Sequence, residues 1–203
     1  MKAPLLFLTK FLCISLALFV VWQPVSNAYL TTLTPAANGL CRAAGYPVRM
    51  EASDADLLNV YRFESGEFRL WASNPDVVFL NLIVLVGLFG ALGLSNFRSW
   101  IARLGVGLGL LWITHVIHFV LLAYTGIFKY LRTMAQVHNV PTPELQTLAE
   151  AADRFFPYSQ AVRLNLFLDF WRNWGMLAFA FLLWLVLNRR DLYHLMQRQK
   201  PNE

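Results

Sequence analysis

The sequence predicts an all-α polytopic membrane protein with four transmembrane helices, a small extracytoplasmic β-hairpin and an amphipathic surface helix. Composition is the first reason: 57% of the 203 residues are hydrophobic and only 14% are charged, whereas charged residues make up about a quarter of a typical soluble domain. The second reason is the presence of several apolar runs of about 20 residues, the length that a helix needs to cross a bilayer. No soluble module interrupts these runs, so we treat residues 1–203 as a single membrane domain.

The basic balance of the chain, a formal net charge of +5 with a pI near 9.5, does not indicate a nucleic-acid partner. The excess Lys and Arg residues flank the apolar runs, where they orient a membrane protein in lipid. The two cysteines, Cys13 in an apolar run and Cys41 in a predicted loop, have no zinc-binding or redox spacing. We therefore predict no disulfide, no metal site and no cofactor, with membrane lipid as the surroundings.

The first predicted span covers residues 5–22, with Lys10 reaching the cytoplasmic surface along its own aliphatic stem. A second interpretation remains open. The apolar core has the length of a secretory signal peptide, and residues 26–28 match a small-x-small cleavage site. We favour the uncleaved helix, with Trp22 and Pro24 following the core directly.

Residues 23–76 form the first predicted external loop under either interpretation. The loop holds four Arg against six Asp or Glu, and the resulting net charge of −2 is typical of a translocated segment. We expect a short amphipathic helix over residues 31–40. Aromatic and aliphatic residues at 60–63 and 68–71 flank a Ser-Gly turn and predict the β-hairpin. The hairpin should rest on the outer ends of the helices, because an isolated hairpin is marginally stable in water.

The second and third spans are predicted at 77–94 and 104–127. The short turn between them, residues 95–103, contains arginines that place it in the cytoplasm. Pro75 suits the first turn of the second span. Gly87 is one of three glycines spaced by three residues in this span, and such spacing lets a neighbouring helix approach closely.

Residues 128–163 form the second predicted external loop. Within it, residues 142–144 combine an N-cap, a proline and an acid, which predicts an amphipathic surface helix over 143–155. The fourth span, 164–187, returns through the membrane and leads into a basic tail over 188–203. Because Lys and Arg are denser in the short inside segments, we predict a multi-pass plasma-membrane protein with both termini in the cytoplasm.

Two polar stripes interrupt the third and fourth spans and form the candidate functional site. At 100° per residue, His115 and His118 share one face of the third span, and the polar residues of the fourth recur at i, i+4, i+7 and i+8. Ionisable groups inside a membrane normally pair with one another. We predict that the stripes meet, with Asp169 and Arg172 neutralising each other. The predicted polar cluster consists of His115, His118, Asn165, Asp169, Arg172 and Asn173.

Three segments of the chain follow the order of motifs in a known family. Residues 68–76 lead into the second span, residues 115–126 place two histidines before an apolar run with a glycine, and residues 165–171 open the last span. This layout resembles the exosortase/archaeosortase family, polytopic membrane proteins thought to cut and transfer proteins with a C-terminal sorting signal. In that family, the three segments carry a nucleophilic Cys, an Asn-x-x-Arg motif and a His. The resemblance covers most of the chain at the level of layout.

The catalytic residues of that family are absent from the matching positions. Asn74 or Pro75 stands in place of the Cys, His118 in place of the Arg and Asn165 in place of the His. The chain therefore resembles a catalytically degenerate relative, such as the group of exosortase H-associated membrane proteins. The resemblance implies a non-catalytic accessory of a bacterial protein-sorting system in the inner membrane. Such an accessory would bind an exosortase or a protein that bears a sorting signal.

Two other functions remain open on the sequence alone. A membrane enzyme would use the intramembrane cluster of His115, His118, Asp169 and Arg172, since a His pair with a carboxylate binds metals. However, a His pair at i, i+3 chelates less well than the zincin spacing, and no Glu base adjoins it. A small transporter or channel subunit fits four spans with polar stripes, but the chain shows no inverted repeat. We rank the accessory function first and the transporter last.

Overall fold

Helices dominate the structure. Three segments are long and apolar enough to cross a membrane by length and composition: Pro4–Trp22, Phe97–Gly126 and Ser159–Leu187. The shorter apolar stretch Leu80–Leu92 falls within the predicted second span. These segments agree with a helical membrane protein. The computed structural model describes residues 2–46, 48–53, 56–63, 66–73, 75–92, 96–136, 143, 146, 150 and 158–198.

Helix α1 spans Lys2–Ala43, so it continues beyond the candidate span Pro4–Trp22 into the predicted external loop, and the predicted helix over 31–40 is one part of α1. Pro24 and Pro35 both lie inside the helix, although a proline in a helix interior costs about 3 kcal/mol. The helix persists because apolar side chains continue at helical spacing and are buried, each worth about 1.5–3 kcal/mol when large. The buried residues of this stripe beyond Pro24 include Leu30, Leu33, Ala37 and Cys41.

A three-stranded antiparallel sheet follows α1, in the order β1-β2-β3. Its strands are β1 (Val48–Ser53), β2 (Asp56–Phe63) and β3 (Gly66–Ser73). Strands β2 and β3 contain the residues that the sequence predicts as extended. The sequence prediction omits β1, in which Val48 and Met50 are buried and Arg49 is exposed, the period-two pattern of a strand.

Helix α2 spans Pro75–Leu92 and helix α3 spans Phe97–Gln136. Pro75 is the first residue of α2, as its place in a first turn predicts. The predicted turn over 95–103 is wrong for most of its length because α3 begins at Phe97. The Asn96 side chain accepts a hydrogen bond from the Ser99 backbone N–H at 3.3 Å and so caps the first turn of α3.

Residues 158–198 are helical over most of their length, including the described part of the predicted tail. Its elements are α4 (Tyr158–Phe170), a π-helical turn (Trp171–Gly175), α5 (Met176–Leu187) and α6 (Arg189–Arg198). The predicted second external loop, 128–163, is shortened at both ends because α3 runs past residue 128 and α4 begins before residue 163. The predicted surface helix over 143–155 lies mostly outside the described residues; residues 143, 146 and 150 are helical and exposed.

The chain forms two compact units. The first consists of Met1–Gln23, Phe79–Trp112 and Trp174–Glu203. In it, a Cβ added at Gly87 would lie 3.2 Å from the Phe11 ring, so the predicted close helix approach at this glycine is confirmed. Arg103 pairs with Asp191 at 2.7 Å and ties α3 to α6.

The second unit consists of Pro24–Val78 and Ile113–Asn173 and contains the sheet and the predicted polar cluster. The end of α1 is tied to α3 by two aromatic rings. Tyr46 stacks on Tyr124 with ring centroids 4.1 Å apart, and its hydroxyl donates to the Ala123 carbonyl at 3.4 Å. This contact holds the segment that follows α1 against α3, the helix that carries the two histidines.

Candidate functional site

His115 is buried on α3 and is held by a residue that the sequence places in a loop. The Tyr29 hydroxyl lies 2.9 Å from His115 Nδ1, and the two rings meet edge to face with centroids 5.9 Å apart. Burial raises the pKa of the Tyr29 phenol above its ordinary value. The phenol therefore keeps its proton and donates it to Nδ1 when Nε2 carries the imidazole hydrogen.

His118 lies one turn further along α3 and is also buried. Neither of its ring nitrogens has a hydrogen-bond partner among the described residues. Its nearest described ring contact is with Phe119, at 5.8 Å between centroids. A buried polar group without a partner costs about 1–3 kcal/mol, so this side chain is unfavourable for folding where it stands.

His118 and Arg172, one from each polar stripe, both belong to the second unit. The Nε atom of Arg172 is buried and, like the His118 nitrogens, has no hydrogen-bond partner among the described residues. These three nitrogens are buried polar atoms of one compact unit.

The remaining residues of the second stripe face outward. Arg172 Nη2 lies 3.7 Å from Asp169 Oδ1, with 57% of the Asp169 side chain exposed. Asn173 is exposed and its Nδ2 donates to the Asp169 backbone carbonyl at 2.8 Å. Asn165 is half-buried on the same helix. The predicted pairing of Asp169 with Arg172 is present, but the acid lies at the edge of the cluster instead of within it.

A π-helical turn contains both Arg172 and Asn173. The turn begins at Trp171 and ends at Gly175, and Gly175 is buried. Extra-residue turns of this type occur frequently at functional sites. The turn also changes the angular spacing of the stripe beyond residue 170, so the regular helical spacing that we applied to the sequence does not hold there.

The positions that match the catalytic residues of the exosortase family in the predicted layout are Asn74 or Pro75, His118 and Asn165. Asn74 lies outside the described residues, and Pro75 begins α2. His118 and Asn165 both lie in the second unit. Among the residues that the structure describes, no group of three or more His, Cys, Asp or Glu side chains has an arrangement that would hold a metal ion.

Cys41 lies in the buried stripe of α1, and the prediction that it belongs to a loop is wrong. Burial raises the pKa of its thiol to about 11, so the thiolate is scarce at neutral pH. Cys13 is exposed, and both cysteines are free. A nucleophilic cysteine needs a lowered pKa and access to its substrate, and Cys41 has neither.

We expect Cys41 to resist alkylation in the folded protein. In a Cys13→Ala variant, iodoacetamide at pH 7.5 should leave the single remaining thiol unmodified until denaturant is added, as intact mass reports. In the reciprocal Cys41→Ala variant, Cys13 should react without denaturant if the detergent leaves it accessible. Rapid modification of Cys41 in the native protein would show that the thiol is more accessible than its place in α1 implies.

Comparison with protein-family models, with curated proteins and with solved structures finds no match for this chain. Its function is therefore argued from its own residues. The resemblance to the exosortase family rests on layout alone.

Proposed function

We propose that this protein is a non-catalytic accessory of an exosortase-type C-terminal protein-sorting system. It binds the sorting enzyme or its substrate within the bacterial inner membrane. In this proposal, α2 supplies a fourth span and both termini lie in the cytoplasm. The motif layout and the replaced catalytic positions support the partner, and the side chains exposed on α4 support the binding role.

The binding surface is the α4 face, defined by Leu166, Asp169 and Phe170 at i, i+3 and i+4, together with Asn173, whose Nδ2 donates to the Asp169 backbone carbonyl. Leu166 is 68% exposed and Phe170 is 60% exposed. This face belongs to the candidate span Ser159–Leu187. Apolar exposure alone is ordinary for a helix in lipid, and it is the exposed Asp169 that distinguishes this face.

An exposed carboxylate on a spanning helix is the single observation that carries the proposal. Acidic side chains within spans are costly and almost always face protein or a water-filled cavity. The ion pair with Arg172 is long, at 3.7 Å, and leaves most of the Asp169 carboxylate unshielded. A partner helix that presents a basic or hydrogen-bond-donating group to Asp169 and Asn173 would shield them from lipid.

Photo-crosslinking in native membranes tests this binding role. Benzoylphenylalanine at Phe170 should give cross-links to an exosortase or to a protein with a C-terminal sorting signal, identified by mass spectrometry. The matched control is the same group at Ile117, an apolar α3 residue that is 47% exposed. Absence of both kinds of partner at position 170, or the same products from both positions, would contradict the proposal.

The proposed orientation is tested by cysteine labelling in a background without Cys13 and Cys41. In spheroplasts, an Arg49→Cys variant should react with a membrane-impermeant maleimide, because β1 belongs to the proposed external region. An Arg98→Cys variant should react only after the membrane is permeabilised. Both positions are exposed in the structure, so a difference in labelling reports sidedness. Labelling of residue 98 in intact spheroplasts would overturn the orientation with both termini inside.

An enzyme that uses the polar cluster is the second candidate function. Its support is His118, a buried imidazole with both ring nitrogens unpartnered among the described residues. A neutral imidazole in that state has the capacity to accept or donate a proton. Metal bound at close to one equivalent in the purified protein, and lost in His118→Leu, would favour this function over the accessory role.

A further inference from the structure

A groove lies between the second half of α1 and the first strand of the sheet, wholly within the second unit. Its volume is about 960 Å³. Polar side chains from α1 line one wall, and charged side chains from β1 line the other. The residues that matter for its chemistry are Thr31, Thr34, Asn38, Arg42, Arg49 and Glu51.

The hydrogen bonds of Asn38 show which kind of group binds at the edge of strand β1. β1 is the outer strand of the sheet. Asn38 Nδ2 donates to the Met50 carbonyl at 3.0 Å, and the Met50 N–H donates to Asn38 Oδ1 at 2.6 Å. A side-chain amide thus occupies the two backbone groups that a neighbouring strand would use. The edge already binds one amide through paired hydrogen bonds.

The strand register extends this argument to Ala52. In an antiparallel pair, alternate residues direct their backbone N–H and C=O to the same edge. Met50 directs both groups away from β2, as its bonds to Asn38 show. Ala52, two residues further on, therefore presents its N–H and C=O to the same open edge. Ala52 is exposed and lines the groove.

The charged side chains that line the groove are Arg42, Arg49 and Glu51, which together give a net charge of +1. Arg49 lies 3.6 Å from Glu51, which offsets its charge. Arg42 is exposed and has no ion-pair partner among the described residues. A cation of this kind beside an open strand edge favours a ligand that carries an acidic group next to its own backbone amides.

We propose that the groove binds an extended acidic peptide segment by strand addition. The peptide backbone pairs with the edge of β1 at Ala52, and an acidic side chain of the peptide meets Arg42. Main-chain hydrogen bonds supply affinity in this recognition mode, and side-chain contacts supply specificity. The groove is at the upper end of the size range of ligand pockets, about 300–1,000 Å³, which is enough for a few residues. The proposal is independent of the partner proposed for the α4 face.

The test uses the full chain in nanodiscs of neutral lipid and an end-capped heptapeptide of alternating Thr and Glu, with a fluorophore for anisotropy. Replacing Glu by Lys in the peptide should abolish measurable binding. N-methylation of alternate peptide amides should weaken binding about tenfold by removing backbone donors. Arg42→Gln should weaken binding about fivefold. Arg98→Gln, a change at an exposed arginine of the first unit, should leave the affinity unchanged.

Three results would overturn the proposal. Equal binding of the N-methylated and unmodified peptides would exclude strand addition, and equal loss in Arg42→Gln and Arg98→Gln would reduce the effect to overall charge. Absence of peptide binding, together with Arg42-dependent binding to vesicles that contain phosphatidylglycerol, would assign the groove to lipid headgroups. Circular dichroism of both arginine variants should match the parent, so that a change in affinity is not a loss of fold.

Discussion

Replacing Asp169 by alanine is expected to lower the steady-state amount of this protein more than replacing Asp169 and Arg172 together. Among the described residues, Asp169 is the only ion-pair partner of Arg172, and Arg172 Nε is buried without a hydrogen bond. Removing the acid alone leaves a partly buried cation uncompensated. Breaking a buried pair from one side costs about 3–5 kcal/mol, and partial exposure reduces this cost. A loss of even about 1–2 kcal/mol changes abundance several-fold.

Quantitative immunoblotting of membranes measures this effect. The Asp169→Ala variant should accumulate several-fold below the parent, and Asp169→Ala/Arg172→Leu should recover most of the difference. Asp169→Asn serves as the control, because it removes the charge and keeps the size and polarity of the side chain; it should fall as low as Asp169→Ala. If the single alanine variant accumulates like the parent, Arg172 does not depend on Asp169. If the double variant accumulates normally but no longer cross-links from position 170, the ion pair belongs to the partner surface.

Periodicity and membrane energetics are enough to predict the polar cluster in outline. His115 and His118 share a helix face because residues three or four apart lie about one turn from each other. An arginine inside a membrane span is expected to lie beside other polar groups. The burial of both histidines follows from these rules. The exposure of Asp169 does not, since a helical stripe alone does not say which of its members turns toward the neighbouring helix.

Residues that depend on tertiary packing are the ones that sequence reasoning missed. Tyr29 follows two local signals for a helix end, Trp22 and Pro24, yet burial of the stripe from Leu30 to Cys41 keeps α1 helical and brings its phenol to His115. The π-helical turn at Trp171 has no signal in a pattern read at fixed helical spacing.

The sheet shows the same division between local and long-range information. Strands β2 and β3 surround a Ser-Gly turn, which is a local signal. Strand β1 is short and contains charged residues. At its edge, the backbone N–H and C=O of Met50 are hydrogen-bonded to the side chain of Asn38, a residue 12 positions earlier in the chain. Its alternation of Val48, Arg49 and Met50 was the available signal. The amide that satisfies Met50 becomes recognisable only when α1 and β1 are seen side by side.

His118→Leu is expected to leave the protein at least as stable as the parent, while His115→Leu lowers its stability. The two histidines lie one turn apart on α3 and are equally buried, but only His115 has the Tyr29 hydrogen bond. Leucine at position 118 removes a buried polar group that has no partner among the described residues. Leucine at position 115 instead removes the hydrogen bond to the part-buried Tyr29 hydroxyl. Each change therefore shifts the free energy of unfolding by about 1–3 kcal/mol, in opposite directions.

Thermal unfolding of the purified protein in detergent, followed by light scattering and intrinsic fluorescence, measures the sign of each change. We expect the midpoint of His118→Leu to equal or exceed that of the parent and the midpoint of His115→Leu to fall. Tyr29→Phe should fall with His115→Leu, and the double variant Tyr29→Phe/His115→Leu should fall no further than His115→Leu alone, because both remove the same hydrogen bond. If His118→Leu is instead strongly destabilised, a partner outside the described residues satisfies its imidazole. If it is stable but no longer cross-links from position 170, an unfavourable buried histidine is retained for binding, which is the outcome that the accessory function predicts.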